Sequence, residues 1–205
     1  ALELYWLPRS FPDAIRVVIS TLPGHVLDVL NDRRWPQFSV FPLKEDERRS
    51  LVTEYLERFT KTLDDKQLEI LIRSPQTSNP LFLRALLDEM RIFGIYEQLN
   101  ELMTGYLAAD GPTGLYGKIL ARLERDYEQT CPGLVRDALS LIWASRRGLS
   151  EAELLIMLGA DGDPLPRAVW SPLYLAIEES LIMREGLLSF FHDYLRQAVN
   201  ERYIG

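Results

Sequence analysis

From Lys44 onward the apolar residues recur with a period of about 3.6, and this pattern limits the fold more than any other feature of the chain. Val52, Tyr55, Leu56 and Phe59 stand at i, i+3, i+4 and i+7 on a charged helix predicted from about Glu45 to Thr60. A shorter helix is expected from about Asp64 to Arg73, with Leu68, Leu71 and Ile72 inward, ended by Ser74-Pro75. The central helix follows Thr77-Ser78-Asn79-Pro80-Leu81-Phe82-Leu83. Asn79 offers a capping oxygen, Pro80 suits a first helical position that needs no N–H, and Gly94 supplies a stop. Its apolar residues Phe82, Leu83, Leu86, Leu87, Met90 and Phe93 cover more than one stripe, so two sides should be packed. Ile95 to Ala108 is read as the next helix of a small bundle.

Asp110-Gly111-Pro112-Thr113-Gly114 is the densest cluster of helix breakers and the expected domain boundary. Beyond it, helices are predicted over about Leu115 to Gln129 and Leu134 to Ser145. Ser150 and Glu153 form a capping box that opens a short helix to Leu158, and Ser171-Pro172 is read as the start of a third. Leu181-Ile182-Met183 and Leu187 to Phe191 flank Arg184-Glu185-Gly186, a hairpin turn with glycine at the left-handed position. Three helices and a hairpin in that order spell a winged helix, closed by a last helix from about Asp193 to Tyr203.

The first forty residues follow another grammar. Ile15-Arg16-Val17-Val18-Ile19-Ser20 is a β-branched run between Pro12-Asp13 and Leu22-Pro23-Gly24, as in a strand buried on both faces. A helix from Val26 to about Arg33 leads to a second run, Phe38-Ser39-Val40-Phe41, ended by Pro42. One βαβ unit cannot make a stable parallel sheet, so the missing strands are expected upstream, and Ala1 to Trp6 reads as if cut from something longer. The expected fold is therefore mainly α: the end of a parallel α/β sheet in residues 1–43, a helical domain in 44–110 and a winged helix in 111–205.

The chain is 47% hydrophobic and 26% charged, with a net charge of −7. That balance argues against a sequence-independent grip on nucleic acid or on an anionic membrane, which both need accumulated positive charge. The expected third helix, Leu173-Tyr174-Leu175-Ala176-Ile177-Glu178-Glu179, has two acids and no base, so it suits no major groove. Cys131 is alone, which fits an intracellular, cytoplasmic setting without disulfides. His25 and His192 lack ligand-spaced partners for a metal. Trp6, Trp35, Trp143 and Trp170 are expected in the core or at domain contacts.

Taken together, the strand ending in Ser20-Thr21, the second strand, the bundle holding Asn79-Pro80-Leu81-Phe82-Leu83 and the winged helix ending in Phe191-His192 resemble the STAND class of P-loop NTPases, and within it the NACHT type. Trp6-Leu7-Pro8, Gly148-Leu149-Ser150-Glu151-Ala152-Glu153-Leu154 and Gly186 to His192 look like the nephrocystin and telomerase-associated-protein group. The resemblance implies a signalling ATPase in which ADP or ATP with magnesium lies between the nucleotide-binding domain and the winged helix. It assigns Ser20 and Thr21 to the γ-phosphate-sensing strand end, Pro80 to the adenine and His192 to the β-phosphate of ADP. It also implies an upstream nucleotide-binding domain, a downstream repeat domain of tetratricopeptide or WD type, and self-oligomerisation on activation.

Two departures stand beside it: Leu22-Pro23-Gly24 follows Ser20-Thr21 where many relatives carry arginine, and no glycine precedes Pro80 in the central motif. No G-x-x-x-x-G-K-[ST] loop or acidic strand end occurs, so this chain alone is expected to hydrolyse no nucleotide, while its parent is expected to be a slow ATPase. The alternative is a nucleotide-free helical scaffold for protein interaction.

Overall fold

In a computed structural model, residues 3–92 and 99–205 are described, and the chain divides between Phe41 and Pro42 into two compact units. The expected Gly94 stop, Phe93 and the helix start at Ile95 lie outside the described residues.

Among its described residues the first unit holds one helix, α1 (His25–Asn31), over a small core of Leu4, Leu7 and Leu30 with Phe11, Val26, Val29 and Trp35 against it. Arg33 ties the loops to this helix by donating to the carbonyls of Leu4, Leu7 and Pro8 at 3.1, 2.9 and 2.8 Å, while its guanidinium lies 5.1 Å from the Trp35 ring centre. The two runs expected as buried strands are not strands. Residues 15–20 and 38–41 are irregular and exposed, with Val18 and Val40 each 96% accessible and Phe38 93%. A strand is held by ladder hydrogen bonds and by neighbours on its faces. Neither run finds a strand partner among the described residues, the Ile15 N–H bonding only within its own turn to Pro12 O at 2.9 Å, so no parallel sheet forms there. Trp6, expected in a core or contact, is 71% exposed.

Among its described residues, the second unit is built of helices and one hairpin. Its helices are α2 (Glu45–Glu57), α3 (Asp65–Arg73), α4 (Pro80–Ile92), α5 (Leu99–Leu107), α6 (Pro112–Tyr127), α7 (Leu134–Ala144), α8 (Glu151–Leu158), α9 (Arg167–Ile177) and α10 (Asp193–Val199). The local signals explain most of the starts. Asp64 accepts from Gln67 N–H in a reciprocal capping box before α3, and Ser150 does the same with Glu153 before α8. The Asn79 carboxamide accepts from the N–H groups of Leu81 and Phe82 at 2.9 and 3.1 Å, with Pro80 at the first helical position. A short 3-10 turn, Pro75–Ser78, feeds this cap.

One start is misplaced by the sequence. Helix α9 begins at Arg167, not at Ser171-Pro172, and carries Pro172 in its interior. Pro166, just before the first residue, already sets the entry. The carbonyl that Pro172 leaves without a donor belongs to Ala168, on the exposed side of the helix.

Strands β1 (Leu181–Arg184) and β2 (Leu187–Phe190) pair antiparallel, Leu181 opposite Phe190 and Arg184 opposite Leu187. The connecting residues Glu185 and Gly186 both have positive φ, 51° and 80°, as a two-residue primed turn requires. Leu149, just before α8, adds a bridge by exchanging both backbone bonds with Leu188 at 3.0 and 2.7 Å. That close approach needs Gly148, whose φ is +97° and where a Cβ would fall 2.4 Å from the Leu188 carbonyl oxygen.

One hydrophobic core runs through this unit from Val52 on α2 to Val199 on α10, with Phe82, Leu86, Leu120, Leu139 and Trp170 among its fully buried members. It passes the glycine and proline cluster at 110–114 without a break. There Gly111, with φ +97°, and Pro112 start α6. No described helix is long and apolar enough to cross a membrane.

Candidate functional site

The four residues expected at a nucleotide lie on separate pieces of chain. In the first unit Ser20 and Thr21 are exposed, and the Thr21 hydroxyl donates to its neighbour's carbonyl, Leu22 O, at 3.1 Å. In the second unit Pro80 is exposed at the start of α4, and His192 precedes α10 without capping it. The His192 ring rests on Phe191, with centres 4.2 Å apart, and burial holds its pKa below the usual histidine value despite the opposing pull of Asp193. Neither Pro80 nor His192 lines the two cavities described in this unit. Among the described residues no group of three or more His, Cys, Asp or Glu side chains could hold a metal ion.

The concentrated polar chemistry sits elsewhere, on helix faces that look merely solvated in the sequence. Glu89 of α4 is 5% exposed and takes a bidentate grip from Arg122 of α6, Nε to Oε2 at 2.6 Å and Nη2 to Oε1 at 2.8 Å. Tyr106 of α5 donates to the same Oε2 at 2.6 Å, and Asp126 accepts from Arg122 Nη1 at 3.0 Å. Three helices therefore meet on one carboxylate. Burial first, then the Glu89 charge, raises the Tyr106 phenol well above its ordinary pKa. The cavity that Glu89 helps to line measures about 30 Å³, too small for a substrate, and the cluster serves to fix helix positions.

A second network joins α2, α4 and the turn that leads into the hairpin. The Tyr55 hydroxyl donates to Asp88, Arg84 Nε donates to both Asp88 oxygens at 3.2 and 3.1 Å, and Arg84 Nη2 reaches Glu179 Oε2 at 3.1 Å. Arg91 Nη1 stands 3.8 Å from Glu179 Oε1. Burial and the Asp88 hydrogen bond push the Tyr55 pKa up to about 12. Next to this network lies a cavity of about 30 Å³, lined by Asp88, Arg91, Tyr116, Glu179 and Ser180 among others. A third tie is Arg48 of α2, 8% exposed, whose Nη1 reaches Ser74 O at 3.0 Å and Thr77 Oγ1 at 3.1 Å and so anchors the turn before α4.

The chain resembles segments of much longer proteins. It is 38% identical over 204 residues, 98% of its own length, to a TPR repeat-containing protein of Dictyostelium discoideum, of which it spans 12%. It is 28% identical over 229 residues, 97% of its length, to human NACHT domain- and WD repeat-containing protein 1, spanning 14% of it. Mouse telomerase protein component 1 matches over 75% of the chain at 28% identity, with 6% of that protein covered. No family model matches the chain, and no solved structure matches it. The relatives thus include the telomerase and NACHT proteins that the motifs pointed to, joined by a TPR repeat protein.

Proposed function

We propose that this chain is a non-catalytic helical coupling module of a larger repeat-containing protein, serving protein interaction. Residues 42–205 supply its helical part, and residues 3–41 supply two apolar segments that complete a sheet belonging to an adjoining part of the parent. The observation that carries the reading is the contrast between a helical unit with one large buried core and a small one that leaves Val18, Phe38 and Val40 more than nine-tenths exposed. Apolar surface on that scale marks a place where something docks. Names among the relatives support an interaction role: one is a TPR repeat protein and another carries WD repeats. The three-part division at about 43 and 110, the winged-helix reading of α7 to α10 and self-assembly of the parent belong to the same proposal. The hairpin bridged to Leu149 supports the winged helix.

The test replaces Val18 and Val40 together by Asp. The isolated chain should keep the melting behaviour of its helical unit, because neither residue has a buried neighbour to lose. The parent protein should lose stability, since docking would bury two carboxylates. An unaffected parent contradicts the proposal.

A second reading, closure over ADP or ATP with magnesium held by an upstream domain, has one specific support, the similarity to a NACHT-domain protein along 97% of the chain. In it Ser20 and Thr21 sense phosphate, Pro80 packs on adenine and His192 donates to the β-phosphate. A His192→Leu exchange separates the readings. Faster ADP release from the parent favours closure, and an unchanged rate favours the scaffold.

A further inference from the structure

The side chains of α2, α4 and the turn Glu178–Ser180 form a layered arrangement whose parts are sequence-distant. At the bottom, Tyr55 of α2 and Phe59 of the turn that follows it have ring centres 5.2 Å apart. Above them lie two guanidinium groups of α4, Arg84 4.8 Å from the Tyr55 ring centre and Arg91 4.8 Å from that of Phe59. On top, one carboxylate, Glu179, takes Arg84 on one oxygen and Arg91 on the other. An exposed arginine normally pays most of its Coulomb gain back in side-chain entropy. Here both cations are positioned without Glu179: the aromatic faces hold them by cation–π attraction, and Asp88 fixes Arg84 through both its oxygens.

Charge decides what such a site does when Glu179 leaves. With Glu179 in place, two guanidinium groups face two carboxylates, Asp88 and Glu179. Without it one cation is left over, and it is Arg91, whose side chain is 20% exposed and which has Glu179 as its one carboxylate within salt-bridge range among the described residues. A half-buried, positioned and uncompensated guanidinium beside a second one is an oxyanion receptor. The adjoining cavity of about 30 Å³ has room for little more than one water molecule, so a tetrahedral anion enters only where the Glu179 carboxylate departs.

We propose that Arg84 and Arg91 form a binding site for a phosphate-type oxyanion, and that Glu179 is its built-in plug. The anion and the plug compete, so occupation releases the turn before β1 from α4. Because Glu179 is tethered, it acts at an effective concentration on the order of millimolar, which a free anion must exceed in the native chain.

The probe is inorganic phosphate, titrated at constant ionic strength into the 205-residue chain and into its Glu179→Gln variant, with the arginine Nε–Hε NMR signals as readout. The Arg84 and Arg91 signals should move together in both proteins, with a Kd at least tenfold lower in Glu179→Gln. A Glu179→Gln, Arg91→Gln double variant should lose the tight binding. Phosphoserine serves as a second arm: affinity no better than that of inorganic phosphate identifies a free ion, and tighter binding identifies a phosphoryl ester. Equal phosphate affinity in wild type and Glu179→Gln, or shifts confined to other arginines, overturns the proposal. If Glu179→Gln does not fold, the wild type decides. High phosphate must then move the Glu179 carboxyl carbon signal together with Arg91, and a chloride-like response at both groups overturns it.

Discussion

Glu89 draws groups from two other helices, and its worth follows from what its loss would strand. Truncation to alanine leaves the Arg122 charge without its bidentate partner at a site where its side chain is 11% exposed, and leaves the Tyr106 hydroxyl without an acceptor. Breaking a buried pair from one side costs about 3–5 kcal/mol, whereas replacing both partners by apolar groups can be nearly neutral. Glu89→Ala is therefore expected to lower denaturant stability by that amount, and Glu89→Leu with Arg122→Met to recover most of it. A single-variant loss under about 1 kcal/mol would contradict the role assigned to the pair. Part of this was legible in the sequence. Glu89 stands three residues after Leu86 and seven after Phe82, and Arg48 stands four before Val52 and seven before Tyr55, so both ionisable residues fall on apolar stripes. What spacing cannot supply is the partner, since Arg122 is thirty-three residues from Glu89 and looks like any surface arginine of α6.

At the scale of elements, the starts of α3, α4 and α8 could be read because a capping side chain and the N–H groups it serves are local in sequence. The hairpin could be read for the same reason. The two strands in residues 15–41 could not, because β-branched runs state only a preference, and the ladder that would satisfy it must come from elsewhere. The start of α9 was misread because Ser171-Pro172 imitates a helix opening, while the real one follows Pro166. The Leu149–Leu188 bridge gives this level a test. Gly148→Ala introduces both strain at φ +97° and a Cβ 2.4 Å from the Leu188 oxygen, whereas Gly162→Ala at φ +89° meets nothing within 4 Å. Strain of this kind costs about 1–3 kcal/mol. Gly148→Ala should lower the melting temperature clearly more than Gly162→Ala, and equal effects would remove the close approach as the reason for glycine.

For the whole molecule, the helical class was legible and the nucleotide site was not testable from sequence. Ser20, Thr21, Pro80 and His192 each belong to a plausible motif, but their roles depend on a phosphate-cradling loop that this chain does not contain. We propose that residues 15–20 and 38–41 are unfinished edges that the parent protein covers. Amide hydrogen exchange tests it most directly, because protection reports whether a backbone N–H has found a partner. In the isolated chain these amides should exchange at nearly the rate of an unstructured peptide while those of α4 and α6 stay protected. In the parent protein the same two segments should become protected together. Fast exchange at both segments in the parent would contradict the account.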